Sequence, residues 1–159
     1  MKRFIALILT VIVFSLSLFG CSSVSEDEAV VKGSADKQEY NDDGTNGQQS
    51  FKKFIYDTDV KNDYQKDKNY IQVNSDNKDE IAGYLHHFDE WVKISSFKDK
   101  YDFTSDMITA EDFYYITENV VSDDNIGQRK ERRVYKMYSI YYYDTESNTL
   151  YYIFNDIRS

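Results

Sequence analysis

Residues 134–143 and 150–157 are two runs of aromatic and β-branched side chains, separated only by Asp144-Thr145-Glu146-Ser147-Asn148-Thr149. Side chains along a strand alternate between faces, and these residue types suit a packed, pleated surface. Two such runs across a polar, Asp- and Asn-containing turn form a hairpin. The hairpin puts tyrosines on both faces of a sheet. Tyr138, Ile140 and Tyr142 share one face of the first run, Tyr135, Tyr141 and Tyr143 share the other, and Tyr151 and Tyr152 stand on the second run.

Upstream, Ile81, Tyr84, Leu85, Phe88, Trp91 and Val92 recur at the spacing of one buried helical stripe, predicting a helix over 77–95. Asn77 and Glu80 are spaced as a capping box, and Asp79 and Glu80 suit the positive N-terminal end. Residues 51–60, 68–73, 97–103 and 113–121 read as further strands. The expected fold is α+β, one long amphipathic helix packed on an antiparallel sheet of about four to six strands. This element order resembles the cystatin-like and nuclear-transport-factor-like group, in which a curved sheet wraps a helix. The resemblance lies in element order alone.

At the other end, Lys2 and Arg3 precede an uncharged apolar stretch, residues 4–19. That is shorter than the about 20 residues needed to cross a bilayer as a helix. A basic start, a short apolar core and a small residue before the cut mark a secretory signal. Leu18, Gly20 and Cys21 resemble the lipobox of bacterial lipoproteins, with Phe19 where that pattern usually has a small or β-branched residue. The resemblance covers residues 1–21. It implies removal of the signal peptide 1–20 and a diacylglyceryl thioether on Cys21, with palmitate-type acyl chains holding the protein to the cell membrane. Without the resemblance, the leader fits an uncleaved anchor or an ordinary cleaved signal. Both membrane readings, lipidated and anchored, place the rest of the chain on the outer, extracytoplasmic face.

The full chain carries a net charge of −9. Without Lys2 and Arg3, 17 basic face 28 acidic side chains, a net −11. Such a balance excludes nucleic acid, whose binding needs a basic footprint. Cys21 is the only cysteine, so the chain forms no internal disulfide and must be stable from its core. Residues 21–50 hold seven acids, two lysines and few apolar side chains, and read as a lipidated cysteine on a disordered acidic tether. Residues 51–159 read as one globular domain.

The chemistry-bearing residue types are sparse. His86 and His87 are adjacent on the predicted helix and about 100° apart, which does not suit a shared metal. Asp57–Asp63 starts like a calcium loop but places Lys61 at a ligand position and Asn62 where glycine is required. Ser95-Ser96-Phe97-Lys98 matches Ser-x-x-Lys without companion motifs. Arg129-Lys130-Glu131-Arg132-Arg133 is a basic cluster beside Asp123 and Asp124, consistent with a solvated turn. No catalytic residue, metal ligand or cofactor motif is singled out, and the chain is not expected to be an enzyme.

Tyr135, Tyr138, Tyr141, Tyr142, Tyr143, Tyr151 and Tyr152 are the candidate binding surface, because a sheet aromatic on both faces has more than one helix can cover. The plainer account of the same tyrosines is packing in strands. The expected function is a non-catalytic, membrane-anchored module that binds another protein, of accessory, inhibitor or immunity type. The alternative is a small-ligand or glycan-binding envelope module that uses an aromatic sheet face. In both, the lipid on Cys21 is the link to the membrane.

Overall fold

The computed structural model describes residues 30–43, 48–118 and 137–156. The chain divides into the units Met1–Val31 and Lys32–Ser159, and all the strands belong to the second. They are β1 (Ala35–Asp42), β2 (Gln48–Tyr56), β3 (Ile71–Gln72), β4 (Phe113–Glu118), β5 (Met137–Asp144) and β6 (Thr149–Asp156). Two helices, α1 (Lys61–Lys66) and α2 (Lys78–Val92), lie between β2 and β4. The strands form a single six-stranded sheet in the order β1-β2-β6-β5-β4-β3. Every neighbouring pair is antiparallel.

The predicted hairpin forms with Asp144 opposite Thr149. Asp144 accepts from the Glu146 and Ser147 backbone N–H groups and from the Ser147 hydroxyl, an Asx turn that starts the reversal. Asn148 completes it at φ 51°, a left-handed conformation that asparagine tolerates better than most residues. Its side chain then ties the turn to β2 by donating to Tyr56 O and Thr58 O, at 2.9 and 3.0 Å.

The register sorts the sheet into two faces. On the first, Tyr40, Phe51, Ile153, Ile140 and Ile116 form one cross-strand row. Tyr151, Tyr142 and Tyr114 form the next. Against this face α2 lays Ile81, Tyr84, Leu85, Phe88 and Val92, all buried. Phe97, Phe103 and Ile108 complete the same core from the connection after α2. On the second face Phe54, Leu150, Tyr143 and Phe113 form one row, and Lys52, Tyr152, Tyr141 and Tyr115 the next.

The expected α+β plan led by one long helix is corrected. The sheet dominates, and among the described residues after β1 the α-helical part is two short helices, of 6 and 15 residues. The stripe is buried as its spacing requires, except that Trp91 is only half-buried. The helix stops at Val92 because the chain tightens there. Ile94 N–H bonds Trp91 O, and both Ser95 N–H and its hydroxyl bond Val92 O. The expected capping box is also absent. Asn77 turns its side chain backwards, accepting from Asn74 N–H and donating to Gln72 O. With both sheet faces buried and no long helix to wrap among the described residues, the cystatin-like or nuclear-transport-factor-like architecture is set aside.

Two further expectations change. Residues 97–103 are not a strand but a tight turn at Lys98–Lys100 and an extended connection that buries Phe97 and Phe103 without pairing. The tether expected over 21–50 ends early, because Ala35–Asp42 is a full edge strand and β2 begins at Gln48. An edge strand needs only one packed face. Here Tyr40 supplies it, stacking on Phe51 and Phe97 with centroids 6.2 and 6.5 Å away.

Candidate functional site: a lysine-filled tyrosine recess

Six of the seven candidate surface tyrosines are core residues, at most 7% exposed. Tyr135 lies outside the described residues, as do Cys21 and residues 129–133. Tyr138, Tyr142 and Tyr151 point to the α2 side. Tyr138 donates to Tyr84 O at 2.8 Å and accepts from Asn155 at 3.3 Å. Tyr142 donates to Asp112 at 2.6 Å, and Tyr151 stacks on Phe103 with centroids 4.7 Å apart. Tyr141, Tyr143 and Tyr152 point to the opposite side. Tyr143 donates to Asn148 at 2.7 Å, and the Tyr141 and Tyr152 rings meet at 4.9 Å. The expected exposed patch is therefore corrected to packing: the hydroxyls of Tyr138, Tyr142 and Tyr143 find partners inside the fold, which lets those rings be buried.

Asp112 shows the same logic with a charge. Its side chain is wholly buried, yet accepts from Thr109 N–H and hydroxyl, the Tyr142 hydroxyl, and Thr145 N–H and hydroxyl, between 2.6 and 3.0 Å. A carboxylate so fully bonded latches the loop before β4 to the β5–β6 turn.

The second face carries a different chemistry, in which lysines lie over rings. The Lys52 ammonium is 4.9 Å from the Tyr152 centroid and 3.4 Å from Glu39. Lys37 lies 5.9 Å from the Phe54 ring and 2.8 Å from Glu39. These neighbours hold the Glu39 carboxyl down to about 2, the Lys37 hydrogen bond contributing most.

The most organised of these contacts is at Lys32. Its ammonium sits 6.0 Å from the Tyr64 centroid and 5.9 Å from the Tyr70 centroid, and forms an ion pair with Asp67. Its backbone N–H donates to the Tyr56 hydroxyl at 3.2 Å, which lies 2.6 Å from the Tyr64 hydroxyl. The walls come from separate elements. Tyr56 ends β2, Tyr64 is the buried residue of α1, and Asp67 caps α1 with its N–H on Tyr64 O. Tyr70 follows the turn that Asp67 sets by accepting from Asn69 N–H. Tyr64 is fixed from behind by stacking on Tyr143 at 4.2 Å and 19°. Tyr70 meets Tyr64 edge-on at 4.7 Å and leans on Tyr115 at 6.0 Å.

The electrostatics come from this geometry. The Lys32 hydrogen bond, then the Asn69 N–H, hold the Asp67 carboxyl below the usual carboxylate range. Burial pushes the Tyr56, Tyr64 and Tyr70 hydroxyls up, so they remain protonated. Burial likewise pushes Tyr143 up to about 12. Two π-faces and one carboxylate around a single ammonium are an arrangement for holding a cation.

Sequence reasoning passed over this site. Tyr64 and Tyr70 flank Asp67 symmetrically, three residues to either side, which is visible in the sequence. The turn after α1 that folds them around one point, and the arrival of Lys32, are not.

The other candidates from the sequence fall elsewhere. His86 and His87 are both exposed on α2, ring centroids 6.3 Å apart. Asp57–Asp63 is the approach to α1, where Asp59 accepts from Lys61 N–H. Asp89, raised by burial, lies near the Tyr101 hydroxyl on the flank of α2. Among the described residues no group of three His, Cys, Asp or Glu side chains is placed to hold a metal ion, and no helix is long and apolar enough to cross a membrane. No protein-family model, no curated protein and no solved structure matches this chain.

Proposed function

We propose that this protein is an extracytoplasmic lipoprotein, anchored to the cell membrane through Cys21, whose domain is a non-catalytic module that binds another envelope protein. The anchor rests on the leader, with Lys2, Arg3, the apolar stretch and Leu18-Phe19-Gly20-Cys21. Lys32 follows Cys21 by 11 residues, so a fully extended chain keeps it within about 40 Å of the acylated sulfur.

The observation that carries the binding role is the edge strand β1. It is eight residues long, bonds to β2 on one side and, among the described residues, ends the sheet on the other. Edge strands receive partner strands through main-chain hydrogen bonds. Asp36, Lys37, Glu39 and Asp42 along this edge oppose indiscriminate pairing and favour a partner of basic complement. Burial of six of the seven candidate tyrosines makes a described aromatic sheet face a weaker support for the glycan-binding alternative than the β1 edge is for this reading.

The test places a photo-crosslinking residue at the exposed Asn41 of the full chain in intact cells, with a matched control at the exposed Asp106. One defined protein adduct from Asn41 and none from Asp106 is the expected result. Adducts at neither position, together with specific retention of the chain on envelope glycan, would overturn the reading. Replacing Cys21 by Ser should abolish lipid labelling and release the chain from membranes; persistent labelling would remove the anchor.

A further inference from the structure

From the Lys32 recess we infer an ammonium-binding site, formed by Tyr64, Tyr70 and Asp67, that Lys32 occupies as an internal ligand and that a quaternary alkylammonium compound can take over. The inference stands on a different surface from the β1 edge and does not depend on it.

The walls stand without the occupant. Tyr64 is held by Tyr143, Tyr70 by Tyr64 and Tyr115, and Asp67 by the end of α1 and its own turn with Asn69. Lys32, by contrast, comes from the short described stretch before β1 and is itself in neither a strand nor a helix. The next residue, Gly33, has φ 65°, a conformation that L side chains rarely adopt and a natural place for the chain to swing. Withdrawal of Lys32 breaks one ion pair, two cation–ring contacts and one backbone hydrogen bond, and leaves the sheet register intact.

Tyr70 also carries a buried hydroxyl beside these walls. It is 7% exposed, and its hydroxyl has no hydrogen-bond partner. Buried hydroxyls are nearly always paired, so an unpaired one on a wall residue leaves a donor open to a partner. The cation class comes from the walls. Two aromatic faces reward a weakly hydrated, bulky cation more than a strongly hydrated one, and one carboxylate supplies the balancing charge.

An internal ligand competes at an effective concentration in the millimolar range. If Lys32 fills the recess nine-tenths of the time, removing it tightens an external ligand's apparent affinity about tenfold.

The experiment uses the full chain in non-ionic detergent, with tetramethylammonium chloride as probe and sodium chloride at equal ionic strength as control. Acetylation of Lys32, followed by mass spectrometry, should be slow in the wild type and should accelerate with tetramethylammonium but not with sodium. Lys32→Ala, or Lys32→Gln should the first fold poorly, should bind the probe about tenfold more tightly, read by tyrosine-ring chemical shifts. Asp67→Asn added to either variant should remove that binding. Equal acceleration by both salts, or no gain in affinity on removing Lys32, would overturn the inference. Choline and phosphocholine then separate the sources: comparable binding of both points to a lipid headgroup, and loss of binding with the phosphate points to a free quaternary ammonium compound.

Discussion

The two faces of the sheet are built from the same residue type and solve opposite problems. On the α2 face, Tyr138 and Tyr142 behave as large apolar residues whose hydroxyls are tied to Tyr84 O and Asp112. On the other face, tyrosine rings lie under lysines, and Tyr70 keeps a buried hydroxyl with no partner. On the first face these two polar atoms are satisfied, although Tyr101, packed against the same core, also keeps a buried hydroxyl with no partner. The other uses the negative face of the ring as an electrostatic surface, a use that burial alone does not require.

Four substitutions sharpen or break that contrast. The largest effect is expected from Phe88→Ala, which empties the α2 face between Phe97 and Tyr101. A loss of about 3–5 kcal/mol by urea denaturation is expected for a fully buried phenylalanine. A loss below about 1 kcal/mol would mean that α2 is not part of the core.

Tyr138→Phe should cost about 1–3 kcal/mol, because Asn155 loses an acceptor and Tyr84 O loses a donor in a buried setting. The same deletion on the other face, Tyr70→Phe, should be neutral or slightly stabilising, since it removes a hydroxyl that has no hydrogen bond. If the two substitutions have equal cost in parallel denaturation curves, the contrast between the faces is lost.

Asp67→Asn is the smallest expected loss, within about 1 kcal/mol, because the Lys32 pair is partly exposed. Its pH dependence is more informative than its size. The folded-state pKa of Asp67 is lowered, so its contribution is present above the unfolded value of about 3.9 and is lost as pH falls through the folded value. The gap between wild type and Asp67→Asn should therefore close below about pH 4. Glu39, also lowered, is common to both proteins and drops out of the difference. A gap that widens in acid would contradict the ion pair.

The hairpin, β4 and the buried stripe of α2 are legible in the sequence because their signals are local. Period two and period 3.6 directly encode which side chains share a face. The extent of α2 is less so, since a serine hydroxyl and two tight backbone bonds end it while the segment predicted from its spacing continues to Ser95. Strand β1 escapes such a reading because its composition is that of a solvated segment. Edge position, which forgives polarity on one face and along one side, is a property of the assembled sheet. The sequence pair Asn46-Gly47 ahead of β2 is a hairpin signal that argues for it.

The tyrosines mark where local and tertiary information part. Alternation alone determined that rings would stand on both faces of the β5–β6 hairpin. Whether those rings would be core or surface was decided by what the rest of the chain brings to each face: α2 and Phe103 on one side, α1 with Tyr64 on the other. The recess is more distant still. Lys32 and Asp67 are 35 residues apart, and no pattern along the chain links them. A cation finds two rings and a carboxylate only after folding has brought β2, α1 and the segment before β1 to one place. Periodicity is a property of neighbours along the chain, whereas an electrostatic site is a property of neighbours in space.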